Sequence, residues 1–391
     1  MTKIKKIRTG DVLAAVVCLT TLAFHDVKIA VIMSQILFAV YLFIVNTHHF
    51  KLTIPAGSQR YLFRYSAFLL VSIISYTWSL NKSEWLVAIL AISQCIILGV
   101  SIIYYIREDT KIVFLTRSIL FASLVLCVRL FVSVPKSAWG TERVGIYINY
   151  GYVSVSYVLA SASIIALYYA LREKKMLDFL LTVIFVFVSA LTGTKKGVVV
   201  FIVGAAVILL KMVKSPVKIL RNVFVVLTVA AILCFLIMKV DILYNAVGKR
   251  FVSSINQIYG TGIDKSTRDR ALLIEWGLDT FGLNPLVGVG IDGFKSSPYN
   301  LIHYYAHNNY VELLADLGLL GTFLYYCPLI KDITTHIRNT TIRDWELLGL
   351  AILVSLLIGD LTSVSYSQES LQLYLAFACG IFRLEENKNE I

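Results

Sequence analysis

The chain has 391 residues, of which 58% are hydrophobic and only 15% charged, with a formal net charge of +12. A soluble domain of this length needs far more polar surface, so a water-soluble globular protein is excluded. The positive balance would suit a nucleic-acid partner, but its placement along the chain assigns it to membrane topology, and no nucleic acid is expected.

Taken in chain order, apolar runs at 11–24, 29–46, 65–80, 85–106, 112–134, 146–171, 176–192, 197–213 and 223–240 predict nine membrane helices. Runs at 309–330, 347–362 and 371–382 predict three more. Most approach the ~20 residues that cross a bilayer core. Backbone polar groups in lipid have to be satisfied within the segment, so these runs are helices rather than open strands. The expectation is an all-α polytopic membrane protein of about 12 transmembrane helices. It divides into helices 1–9 (residues 1–240), an outer, extracytoplasmic cap (241–308), and helices 10–12 with a cytoplasmic tail (309–391).

With the N-terminus inside, the predicted cytoplasmic segments carry Lys3, Lys5, Lys6, Arg8, Lys51, Arg60, Arg64, Arg107, Lys111, Arg172, Lys174, Lys175, Lys211, Lys214, Lys218, Arg221, Lys331, Arg338, Arg343, Arg383 and Lys388. The short outer loops carry Lys28, Lys82, Lys136, Arg143, Lys195 and Lys196. This asymmetry places both termini in the cytoplasm. No cleavable signal pattern precedes the first run. The six cysteines (Cys18, Cys95, Cys127, Cys234, Cys327, Cys379) fall in apolar runs without metal-ligand spacing, which supports neither a disulfide framework nor a zinc site.

The connection 241–308 is the one long loop, and long loops in compact proteins are commonly functional. Val247, Phe251, Ile255 and Ile258 are spaced for one helical face. A second cap helix is expected to open at Ser266, with Asp269 in capping-box spacing, and to run through Trp276 to Phe281. It stops at Asn284-Pro285, and GVGIDGF (288–294) follows as a turn-laden loop.

Ionisable residues inside the spans are Arg117, Arg129, Glu312, Asp316 and Asp360. Charges at bilayer depth pair with one another or face a wet cavity. Pairing is a sufficient account of Arg117 and Asp360, whereas Arg129, within two turns of the outer end, is expected to line the outer cavity. His307 sits just before a helix, where free N–H groups keep an imidazole neutral, as a general base requires. Such a histidine is also commonly a cap. Arg268 and Arg270 in the cap, with Lys195 and Lys196 in TGTKKG (192–197), suit an anionic leaving group such as a pyrophosphate. Asn308 lies beside the imidazole, and Glu312 and Asp316, an i,i+4 pair, are placed to orient partners or bind hydroxyls. His303 and His307 lack a third ligand, so no metal is expected. TGTKKG lacks the Walker pattern, and no cofactor is expected.

Three stretches resemble the O-antigen ligase and polymerase superfamily of bacterial surface-polysaccharide assembly. LTGTKKG (191–197) is similar to the family's outer Ser-Arg turn, with Thr194-Lys195 in place of Ser-Arg. RALLIEWGLDTFGLNPLVGVGIDGF (270–294) is similar to its arginine-led cap helix and Gly-x-Gly turn. HNNYVELLADLGLLG (307–321) resembles its His-Asn opening, acidic positions and helix glycines. The resemblance implies metal-independent, inverting glycosyl transfer on the outer face of the bacterial cytoplasmic membrane. The donor would be a glycan on undecaprenyl pyrophosphate, the acceptor a sugar hydroxyl activated by His307. Arg270 and Lys195 would hold the pyrophosphate, with Arg129 and Arg268 added from their positions. A polymerase, working with membrane lipid and a chain-length regulator as further partners, is the expected function. A ligase is the alternative within the family. A flippase or transporter is the alternative outside it, but the paired repeats typical of transporters are not visible.

Overall fold

The computed structural model describes residues 7–47, 56–213, 215–258, 265–338 and 344–389. Lys3, Lys5, Lys6, Lys51, Lys214 and Arg343, counted above for topology, lie outside the described residues. Within the described residues all regular structure is helical. Nine helices come first: α1 (Thr9–Ala23), α2 (Lys28–Thr47), α3 (Ala56–Ile74), α4 (Lys82–Tyr105), α5 (Asp109–Ser133), α6 (Tyr152–Glu173), α7 (Met176–Leu191), α8 (Lys195–Lys211) and α9 (Pro216–Lys239). The cap holds the single turn α10 (Asp241–Leu243), a π-turn at Tyr244–Gly248, α11 (Lys249–Ile258) and α12 (Lys265–Leu283). Then follow α13 (Asn309–Arg338), α14 (Asp344–Asp360) and α15 (Glu369–Asn389).

The helices begin where the sequence offers caps. Asn81 accepts the backbone N–H of Glu84 at the head of α4, Thr194 that of Lys196 at the head of α8, and Pro216 opens α9. Among the described residues, α2, α4, α5, α6 and α9, with α13 when taken whole across the kink described below, are long and apolar enough to cross a membrane. α6 and α14 are buried on nearly every side and form the centre of the bundle. α9 is the opposite: Val217, Leu220, Phe224 and Phe235 all stand exposed. Apolar helices left this open require a non-aqueous surround, so the protein is an all-α polytopic membrane protein.

Ion pairs tie one set of helix ends together. Lys111 and Tyr105 both donate to Asp11 (2.6 and 2.7 Å), joining the start of α5 and the end of α4 to the start of α1. Arg117 pairs with Asp178 and Glu173, and Arg172 with Asp344. Many of the cations counted in connecting segments lie on helices instead, Lys111, Arg172 and Lys331 among them. α3 begins nine residues before its apolar run, so it contains Arg60, which pairs with Asp332 at 2.6 Å, and Arg64, which is buried with Nε on the Tyr325 carbonyl at 3.1 Å.

The cap is rooted on one end of the bundle. Val247 and Phe251 pack with Ala190, Leu191, Val198 and Ile237, while Ile255 is exposed; the Ile258 side chain lies outside the description. α12 starts at Lys265, placing Ser266 inside the helix rather than at its cap, and ends beside Asn284-Pro285.

α13 departs most from expectation. The run 309–330 reads as one helix, but Gly318 adopts φ 62° and ψ −161°, which only glycine tolerates, and the chain reverses there. Asn309 Nδ2 donates to the Tyr326 hydroxyl at 2.6 Å, and the rings of Tyr310 and Tyr326 stack at 4.4 Å. In a continuous helix residues that far apart in sequence would be ~25 Å apart. The element is therefore a short helix up to Leu317 folded back on a longer one from Leu319. The loop after α12 fills the vertex: Leu319 N–H donates to the Pro285 carbonyl (2.8 Å) and Leu320 N–H to that of Leu286 (3.1 Å).

Candidate active site

The loop between α12 and α13 is fastened at almost every step. Asp316, fully buried, accepts the backbone N–H groups of Asp292 (3.0 Å) and Phe294 (2.9 Å). The Ala315 and Asp316 carbonyls accept N–H groups of Val289 (3.0 Å) and Gly290 (2.8 Å), and Gly288 lies so close to Asp316 that a Cβ would strike its carbonyl. Asn300 Nδ2 donates to the carbonyls of Phe294 (3.1 Å) and Tyr304 (2.8 Å). Buried Glu312 accepts the N–H of Ala306. Asn308 Oδ1 accepts the N–H groups of Tyr310 (2.9 Å) and Val311 (3.2 Å), which makes it the N-cap of α13. Glu312 and Asp316 thus accept backbone N–H groups, with the Tyr366 hydroxyl also against Asp316, and brace the loop from below. Leu273 of α12, Phe294, Ala306, Val311 and Ala315 form the small apolar core beneath it.

His307 stands at the end of this loop with φ 57°, a left-handed conformation held by the bonds on either side. It is half-buried, with Tyr305 at 4.3 Å between ring centroids and Tyr304 at 5.4 Å. Its proton affinity is pushed down to about 3, first by burial and then by the charges of Arg270, Lys196 and Arg143. The ring is therefore neutral at pH 7. Neutrality follows from desolvation and neighbouring cations, rather than chiefly from the helix terminus.

Of the cations singled out in the sequence, Arg270 is at the site, and its Nε is buried without a hydrogen-bond partner. Arg268 is two residues away on the same helix, pointing about 200° round it, and is exposed. It does not share Arg270's face. Lys195 opens α8, and its charge acts on Lys196; Lys196 is the one that acts on His307, with its Nζ donating to the Thr362 carbonyl. Arg250 of α11 lies against Gly193 in the same turn. Arg129 is engaged elsewhere: it grips Asp26 with two bonds of 2.7 Å and also donates to the Ala23 carbonyl.

Arg143 was missed. It comes from the loop before α6 and lies over the Tyr152 ring at 4.3 Å. One signal could have found it: on the topology expected from the sequence Arg143 falls in an outer loop, where the positive-inside bias acts against cations, so one that persists there invites a functional reason. Among the described residues no group of three or more His, Cys, Asp or Glu residues is arranged to hold a metal. Asp360 accepts from Tyr326 (2.8 Å) and Asn309, and Asn309 Oδ1 accepts the N–H groups of Ser365 and Tyr366, so a polar layer underlies the site. The result is a neutral imidazole beside Arg270, Arg143 and Lys196, the last with its own proton affinity lowered to about 7 by burial and the neighbouring cations, an arrangement suited to taking a proton from a neutral hydroxyl while a bound anion departs.

Residues 180–326, which carry Lys195, Lys196, Arg270 and His307, match a family model described as O-antigen ligase. No curated protein matches the chain.

Proposed function

The match over residues 180–326 supports a membrane enzyme of the O-antigen ligase and polymerase superfamily, and on that premise we propose that the protein polymerises undecaprenyl-pyrophosphate-linked oligosaccharide repeat units into a surface polysaccharide. The observation that carries the reading is His307, neutral and half-buried among Arg270, Lys196 and Arg143. The acceptor hydroxyl oxygen attacks the anomeric carbon of the donor sugar from the face opposite its phosphate. His307 takes the hydroxyl proton as the new C–O bond forms. The bond from the anomeric carbon to the phosphate oxygen breaks, the electron pair leaves with the pyrophosphate, and the configuration inverts. Arg270 and Lys196, backed by Arg143 and Lys195, stabilise the negative charge that gathers on the leaving group. No metal or nucleotide enters this sequence. Arg129, neutralised by Asp26, is assigned to structure and Arg268 to the exposed side of the cap.

A proton affinity as low as about 3 makes a weak base before donor is bound. Donor binding remedies this: a pyrophosphate among the cations cancels the field that opposes protonation and raises the affinity of the imidazole. The base is thus switched on by the donor. The site faces the outer side of the bacterial cytoplasmic membrane, where lipid-linked glycans are consumed.

The description of the matched family favours a second reading, transfer of a finished glycan to a terminal acceptor. What accumulates in cells lacking the protein separates the two. Loss of a polymerase leaves single repeat units, on the carrier or transferred once, and no long chains. Long chains still attached to undecaprenyl pyrophosphate in the deletion strain would instead establish the ligase.

A further inference from the structure

The loop that carries His307 also presents a surface that none of these steps uses. Tyr304 and Tyr305 lie against each other at 4.3 Å between centroids and 32° between planes, and both rings contact the imidazole. Tyr304 is 46% exposed. Tyr299, Leu301 and Ile302 of the same loop are exposed as well. We infer that the Tyr304–Tyr305 pair is the platform that binds the acceptor sugar, the apolar face of one pyranose ring resting on the phenols while a hydroxyl of that sugar meets His307.

The inference rests on the reading of His307 as base, and division of labour within the site supports it. The cations gather on Arg270, Lys196 and Arg143, where a pyrophosphate belongs. A sugar acceptor is neutral; its ring presents C–H groups that an aromatic face receives, and its rim presents hydroxyls that a phenol can bond. The donor's reacting carbon has to stay next to its phosphate, whereas the group that touches the base is the acceptor. The rings in contact with the base are therefore on the acceptor's side. They are also set in advance: Asn300 holds the Tyr304 carbonyl and Glu312 the Ala306 N–H, so little ordering remains when a sugar arrives. A tyrosine at a membrane surface can alternatively be an interfacial anchor, and that reading predicts different kinetics.

The test uses the purified full-length protein in nanodiscs, with lipid-linked repeat unit as saturating donor and a water-soluble repeat-unit glycoside as the varied acceptor. Tyr304→Ala is expected to raise the acceptor KM about 3- to 10-fold, the range of one aromatic contact, with the donor KM unchanged. Tyr304→Phe keeps the ring but not the hydroxyl and should raise the acceptor KM less than Tyr304→Ala does, and Tyr304→Trp should bind acceptor better than Tyr304→Ala. If Tyr304→Ala is inactive, Tyr304→Leu against Tyr304→Trp gives the same comparison. An acceptor KM unmoved by Tyr304→Ala, or a donor KM raised equally, overturns the platform; lower membrane yield with unchanged acceptor KM identifies an anchor only. Direct binding of a fluorescent acceptor to His307→Ala protein separates the two readings. Binding retained in His307→Ala and lost on adding Tyr304→Ala supports the platform even if His307→Ala proves catalytically active, a result that would remove the base.

Discussion

His307 is held in a strained backbone conformation by neighbours that do no chemistry: Asn308 caps the helix behind it, and Glu312 fastens the residue ahead of it. Its electrostatic setting gives a pH prediction whose sign can be worked out. An ordinary imidazole has a pKa of about 6.5, and here burial and three cations bring it to about 3. A base works in its neutral form, which is the dominant form at every pH above the pKa. In the free enzyme His307 is then neutral throughout the range from 7 to 5, and kcat/KM for the donor should show no loss from this residue across it. Once pyrophosphate is bound the affinity rises, so the acid limb of kcat should lie at higher pH than that of kcat/KM. Superimposed acid limbs near 6.5 in both profiles would contradict a depressed, donor-responsive base. His307 and Arg270 were legible in the sequence because each sits in a short motif beside a helix. Lys195 and Lys196 were read together as candidates for the anion, since only the turn of α8 decides which of two adjacent lysines acts on the imidazole. Arg143, more than 150 residues away from His307 in sequence, is brought there by the fold alone.

α13 is the element in which prediction and structure differ most, and the difference has a local cause. LLADLGLLG reads as an apolar helix because a glycine inside such a run is tolerated at a cost of ~1 kcal/mol. The run does not show that loop 285–290 packs into the vertex, satisfying the N–H groups of Leu319 and Leu320 and leaving no room for a side chain at residue 318. A Cβ there would stand 2.5 Å from the Leu286 carbonyl carbon. Gly318→Ala should therefore cost at least ~2 kcal/mol from the backbone conformation alone. A clear fall in Tm and loss of activity are expected, whereas Gly282→Ala on α12, where an added Cβ meets nothing within 4 Å, should be neutral. Equal melting temperatures for the two variants would mean that the reversal is not as described. The cap helices were readable in outline from Val247, Phe251 and the Asn284-Pro285 stop. Their docking was not, because the partners of α12 lie in the loop and the first half of α13.

Across the whole molecule, ion pairs gather one set of helix ends, Asp11 with Lys111, Arg117 with Asp178 and Arg60 with Asp332, while the cap and His307 lie toward the other set. Combined with the basic-residue asymmetry, this predicts that a reporter fused after residue 258 reads as external and one after residue 338 as cytoplasmic; the reverse at both positions would put the site in the wrong compartment. The central claim is glycan transfer between lipid-linked substrates with His307 as base. The most direct measurement gives purified wild-type and His307→Ala protein, in equal folded amount, only lipid-linked repeat units, without nucleotide, and resolves the products by size. The account predicts a ladder from the wild type and a rate ~10²- to 10⁴-fold lower from His307→Ala. No ladder from the wild type, or the same ladder from both proteins, would contradict it.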